Sequence, residues 1–132
     1  MNEAIELHDS VLDSVKESGS KITVALRPAY IHKSLGEPGV NDGVVELQDL
    51  CFEFASGQIE GTLADLPADI LDGELQKGSD RLSNMIALPC EFVGQVRFAV
   101  HLYPDYREVI ISADGLKITP EGESRYLEDF EG

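Results

Sequence analysis

The stretch Gln95-Val96-Arg97-Phe98-Ala99-Val100-His101-Leu102-Tyr103 decides the fold class. Val96, Phe98, Val100 and Leu102 occupy every second position, with Gln95, Arg97, Ala99 and His101 between them. Side chains on a strand point alternately to opposite faces, so this period of two describes a half-buried strand with one apolar face. Pro104-Asp105 follows as a turn. Arg107 to Ser112 reads as the returning strand, which makes a hairpin around Tyr103-Pro104-Asp105-Tyr106. Ala113-Asp114-Gly115 supplies a second turn signal, and Leu116-Lys117-Ile118 a short third strand.

The same alternation recurs upstream. Ile22, Val24 and Leu26 form a strand face that Pro28 interrupts, as an edge or a bulge requires. Residues 36–43, Gly-Glu-Pro-Gly-Val-Asn-Asp-Gly, are a loop. Val44 to Ala55 is a strand whose apolar phase changes between Leu47 and Leu50, which predicts a β-bulge there. Ser56-Gly57 turns the chain, so that Gln58 to Leu63 pairs back as a hairpin partner. Residues 4–8 read as a strand, whereas 10–17 fit strand and helix alike, because Leu7, Val11 and Val15 are four apart and Leu12 joins the helical stripe. Residues 64–83 are mostly loop, with a helical turn or short strand at 69–76. Residues 121–132 are an acidic C-terminal tail or short helix, with Tyr126, Leu127 and Phe130 on one helical face.

These signals predict a single domain over 1–132. The fold class is mainly β: an antiparallel sheet of six to eight short strands rolled into a barrel or sandwich, with one or two short helices. An α+β arrangement is the alternative. The chain has no internal repeat and no Pro/Ser/Gly-rich linker.

Charge limits the classes of function. The formal net charge is −15, and residues 35–80 hold eleven of the 25 carboxylates against one lysine. Such an anion repels phosphate backbones and anionic lipid, so the expected partners exclude nucleic acid and membrane and favour a basic protein surface. The cations Lys21, Arg27 and Lys33 form an island at 21–34 whose expected role is ion pairing with the acidic segments. Cys51 and Cys90 sit among apolar residues with no CxxC spacing, which predicts two reduced, buried thiols. The acidic start of the chain has no signal-peptide pattern, and a cytoplasmic location is expected.

No catalytic signature assembles. His8-Asp9-Ser10 holds the letters of a hydrolase triad, but consecutive side chains diverge and cannot share one proton path. The loop at 36–43 lacks the lysine of a phosphate cradle. Glu46, Asp49 and Glu53 are acids that the sequence does not place within the distance a paired-carboxylate site needs. No two of His8, His32 and His101 share the close spacing of metal ligands. The one candidate polar site joins His8, Asp9, His32 and His101 through adjacent hairpin strands. Asp65, Asp69 and Asp72, spaced four and three apart, are the one candidate for a divalent ion, and they lack the alternation of an EF-hand loop. No cofactor is implied.

In size, acidity and β-rich pattern the chain resembles small bacterial accessory proteins, including immunity proteins that plug basic toxin surfaces. The resemblance is one of composition and covers no motif. The expectation is a small, non-catalytic, acidic interaction domain that binds a protein partner. The alternative is a small enzyme or ligand-binding β-barrel with its site near His8, Asp9, His32 and His101. Homo-oligomerisation through a sheet edge or the apolar residues at 126–130 is a third reading.

Overall fold

A computed structural model describes every residue from Met1 to Gly132. Ten strands form its regular structure: β1 (Asn2–Glu6), β2 (Val11–Ser18), β3 (Lys21–Ser34), β4 (Gly43–Ala55), β5 (Gln58–Gly61), β6 (Ala68–Lys77), β7 (Asp80–Ser83), β8 (Met85–Leu88), β9 (Cys90–Leu102) and β10 (Arg107–Phe130). Neighbours run in the order β2-β6-β9-β10-β4-β3, and β2 also pairs with β3. That last pairing closes six antiparallel strands into a ring, so the sheet is a barrel and, at that level, has no open edge. The fold is all-β, and the short helices expected from sequence are absent.

Closure follows from the alternation. Val96, Phe98, Val100 and Leu102 point inward from β9, opposite Ala113, Ile111 and Val109 of β10. Ile22, Val24 and Leu26 of β3 meet Phe54, Phe52 and Leu50 of β4. The rings of Phe52, Phe54 and Phe98 fill the centre, with centroids 5.2 to 6.2 Å apart. Burying three phenyl side chains contributes roughly 1.5–3 kcal/mol each relative to exposure.

The strands differ from the sequence reading where an extra residue interrupts the alternation. Residues 10–17 are the strand β2. A bulge between Leu12 and Ser14 lets Leu12 face the core and Val15 pair with Val24. Residues 69–76 lie in β6, whose bulge between Ile70 and Asp72 hides the period of two. The phase change expected inside β4 has its cause in β3: β3 spends three residues from Leu26 to Ala29 against two in β4, around Pro28, which has no N–H to donate. Leu47 simply faces outward, opposite Tyr30 and Arg125.

Ala113-Asp114-Gly115 is continuous strand within β10 rather than a turn, and the extra residue of the register shift beside it lies in β9, between Val93 and Val96. β10 therefore continues to Phe130, and the tail or helix expected at 121–132 is strand paired with β4. On it Tyr126 and Leu127 face solvent, while Phe130 packs edge-on against His32. Ser56-Gly57 does not reverse the chain either. β5 runs on from β4 along the same neighbour, β10, instead of folding back.

β3 is 14 residues long and outlasts the ring. Its first half lies beside β2, and its second half beside β1, which carries β8 on its other side. From Leu88, opposite Glu3, the chain crosses by way of Pro89 to Cys90, opposite Ile118. This crossing spans the mouth of the barrel between β1 and β10.

Candidate functional site

The outer face of β9 carries the densest polar cluster. Cross-strand register places His101 opposite Asp72 of β6 and Glu108 of β10. His101 Nδ1 lies 2.6 Å from Asp72 Oδ1, and Nε2 lies 2.9 Å from Glu108 Oε2. Tyr106 closes the hairpin with φ of 62°, a left-handed conformation uncommon for a bulky residue. That geometry folds its ring onto the imidazole, and its hydroxyl donates to Asp72 Oδ2. A histidine acting as general base needs one nitrogen free for substrate. Here both face carboxylates, so the cluster ties three strands together.

His8 follows β1 and is exposed. Its Nδ1 donates to the Leu71 carbonyl at 2.7 Å, and its Nε2 is 3.5 Å from Asp9 Oδ1. The Leu71 hydrogen bond, aided by the charges of Asp9, Glu6 and Asp72 and opposed by partial desolvation, raises the His8 pKa above its ordinary 6.5. His8 and His101 thus border the same β6 segment, Leu71–Asp72. His32 stands apart from them. Only 5% exposed, it is held by Phe130 and by a 3.3 Å contact from Nε2 to Glu6 Oε1. None of the three imidazoles hydrogen-bonds a serine or cysteine, and Ser10 Oγ instead bridges the Glu6 carbonyl and the Tyr30 N–H.

Of the three spaced acids, Asp65 lies in a turn, Asp69 is the second residue of β6 and Asp72 is engaged by His101 and Tyr106. No group of three or more His, Cys, Asp or Glu side chains is arranged to hold a metal ion. Cys51 and Cys90 are both buried and unpaired, and burial pushes both thiols up. Cys90 belongs to the inner core, whereas Cys51 pairs with Thr119 on the outer face.

Beside the histidine cluster, the 103–106 hairpin and the loop before β6 enclose an open groove of about 490 Å³. Arg107 builds it. Its side chain is 12% exposed, and its guanidinium donates to the carbonyls of Tyr103, Ala64 and Asp65 and to Asp105. Partial desolvation pushes the Asp105 carboxyl up, but the hydrogen bonds from Arg107 outweigh it and hold the group below its ordinary value. Arg107 is therefore committed inward, and what faces solvent is acidic: Asp9, Asp65, Asp69, Asp105 and Glu108. Among them stand Tyr103, 58% exposed, and Tyr106, 51% exposed.

The basic island is likewise consumed internally. Lys21 pairs with Glu53, Arg27 with Asp13 and Glu121, and Lys33 with Glu3 and Glu46. Sequence reasoning missed the partners of His101, although counting outward from the 103–106 loop pairs Leu102 with Arg107 and His101 with Glu108. It also missed Arg107, whose acceptors are main-chain carbonyls and leave no trace in residue identity.

No protein-family model, curated protein or solved structure matches the chain. No helix is long and apolar enough to cross a membrane.

Proposed function

We propose that the chain is a non-catalytic acidic interaction domain that docks a basic protein surface at the Tyr103–Tyr106 end of the barrel. The observation that carries this reading is the pair of exposed tyrosines ringed by Asp9, Asp65, Asp69, Asp105 and Glu108, while the nearest cation, Arg107, is turned inward. Tyrosine gives a large contact area at low conformational cost and is enriched in interface cores. Carboxylates around it steer a basic partner and exclude an acidic one. The rigid base helps, because Arg107 and the His101 cluster fix the hairpin before any partner arrives.

Salt-stepped capture with the immobilised chain tests this. The expected partner is basic, elutes as ionic strength rises from about 0.05 to 0.5 M, and is lost from a Y103A/D65N/D69N/D105N variant that keeps the parent's thermal stability. Binding that ignores salt, or that survives in this variant, overturns the proposal.

A further inference from the structure

At the other end of β9 the barrel opens, and the opening is a cavity of about 280 Å³. Its floor is the apolar inner face: Ile31, Leu50, Leu88 and Ile118. Its rim is polar: Glu3, Lys33, Gln48 and Ser124. Such a pocket in a barrel mouth, apolar with a few convergent polar groups, is a common form of small-ligand site.

The chemistry of the rim selects the ligand. Lys33 Nζ lies 2.9 Å from Glu46 Oε1 and 3.7 Å from Glu3 Oε1, so its ammonium already serves two carboxylates. The Gln48 amide nitrogen is directed at the carbonyls of Asp49, Glu121 and Gly122. The Ser124 hydroxyl stands at the rim near Glu46, the carboxylate behind it. The Gln48 amide donor is therefore committed, and the Lys33 ammonium is drawn to two carboxylates. The acceptors at the rim are the half-exposed Glu3 carboxylate, the Gln48 carbonyl oxygen and the Ser124 hydroxyl oxygen. Two carboxylates against one ammonium also leave this corner one negative charge in excess, within a chain of net charge −15.

We infer that the mouth binds a small apolar amine, an alkylammonium whose hydrocarbon body fills the cavity and whose N–H groups meet the acceptors of Glu3, Gln48 and Ser124. A carboxylate ligand would meet the Glu3 carboxylate in a corner already one negative charge in excess, and an unfunctionalised hydrocarbon would leave the acceptors unpaired. The free amine is the assigned source of the ammonium, since the cavity is half enclosed by the Leu88–Pro89 crossing and admits a compact body better than a chain-linked lysine.

The probes are cyclohexylmethylamine, cyclohexylmethanol and cyclohexylacetic acid, titrated into full-length protein and followed by methyl chemical shifts. The amine is expected to bind at least about tenfold tighter than the alcohol or the acid, with shifts centred on Ile31, Leu50, Leu88 and Ile118. Leu88→Trp, which fills the rim, is expected to block it. Glu3→Gln, a conservative change at a half-exposed position, weakens it about tenfold and keeps the test sound if the tryptophan variant does not fold. Nα-acetyl-lysine methylamide separates the two sources of an ammonium and is expected to bind more weakly than the free amine. Equal binding of the acid, no saturable amine binding up to about 10 mM, shifts centred elsewhere, or tighter binding of the lysine compound each overturn the inference. The variant altered at the Tyr103 end keeps its amine binding, so this result stands or falls separately from partner docking.

Discussion

The imidazole of His101 lies flat on the phenol ring of Tyr106, with centroids 4.4 Å apart and planes within 4° of parallel. The same tyrosine donates its hydroxyl to Asp72, which in turn meets His101 Nδ1. A turn residue thereby locks a cross-strand triplet, and the triplet holds in place the hairpin that presents Tyr103. The contact is the mechanical link between the barrel wall and its proposed docking surface.

Tyr106→Phe keeps the stack and removes the hydroxyl, so it should cost about 0.5–1.5 kcal/mol of stability, the usual net value of one hydrogen bond. Tyr106→Ala also removes the stacked ring and should cost about 0.5–1.5 kcal/mol more. Urea unfolding of the two variants checks the order. Equal losses would show that the ring contributes nothing.

Lys33 and Glu46 set an acid-side dependence. The Lys33 hydrogen bond, followed by that of Ser124, holds the Glu46 carboxyl below its ordinary value of 4.5. A lowered folded pKa means that the unfolded chain takes up the proton first as pH falls. The contribution is then complete above 4.5 and disappears as pH drops through the folded value. Stability measured against pH should lose this acid-side contribution in Glu46→Gln. An unchanged profile would refute the assignment.

His8 acts in the opposite sense. Its folded pKa is raised, chiefly by the Leu71 carbonyl, so the folded state binds the proton more tightly. The stabilisation is present in full below 6.5 and fades as pH rises through the folded value. An NMR titration of the His8 ring should show a midpoint above 6.5 in the native protein. A midpoint at or below that value would show that the carbonyl contact is not maintained in solution.

Gly73 lies where β6 passes closest to the core. A Cβ there would sit 2.8 Å from Leu7 Cδ1, 3.0 Å from Val100 Cγ1 and 3.1 Å from the Ala99 carbonyl oxygen. Gly73→Ala should therefore destabilise by about 1–3 kcal/mol through overpacking. The pair Gly73→Ala with Leu7→Ala should lose less than the sum of the two single changes, because the truncated side chain vacates the nearest contact. Additive losses in thermal or urea unfolding would argue against the clash.

The sequence by itself determined the β class and the inward face of the regular strands. It did so because a strand's side chains alternate with a period of two that survives in residue identity, as at Val96–Leu102 and Ile22–Leu26. It also determined the hairpin at 103–106 and the acidic character of the surface. Where a bulge inserts a residue, at Asp13 and Leu71, the alternation slips and local pattern reads as helix or loop; only the neighbouring strand's hydrogen bonds show the chain to be continuous. The tertiary structure alone decided that β2 meets β6 to close the barrel, that Asp72 rather than His8 or His32 reaches His101, and that Lys33 stands over an apolar mouth. Those are pairings between residues far apart in the chain, as Val11 is from Asp69 and Asp72 from His101, 29 positions away. Such register is fixed by closing the ring around Phe52, Phe54 and Phe98, a condition on the whole chain that no segment carries alone.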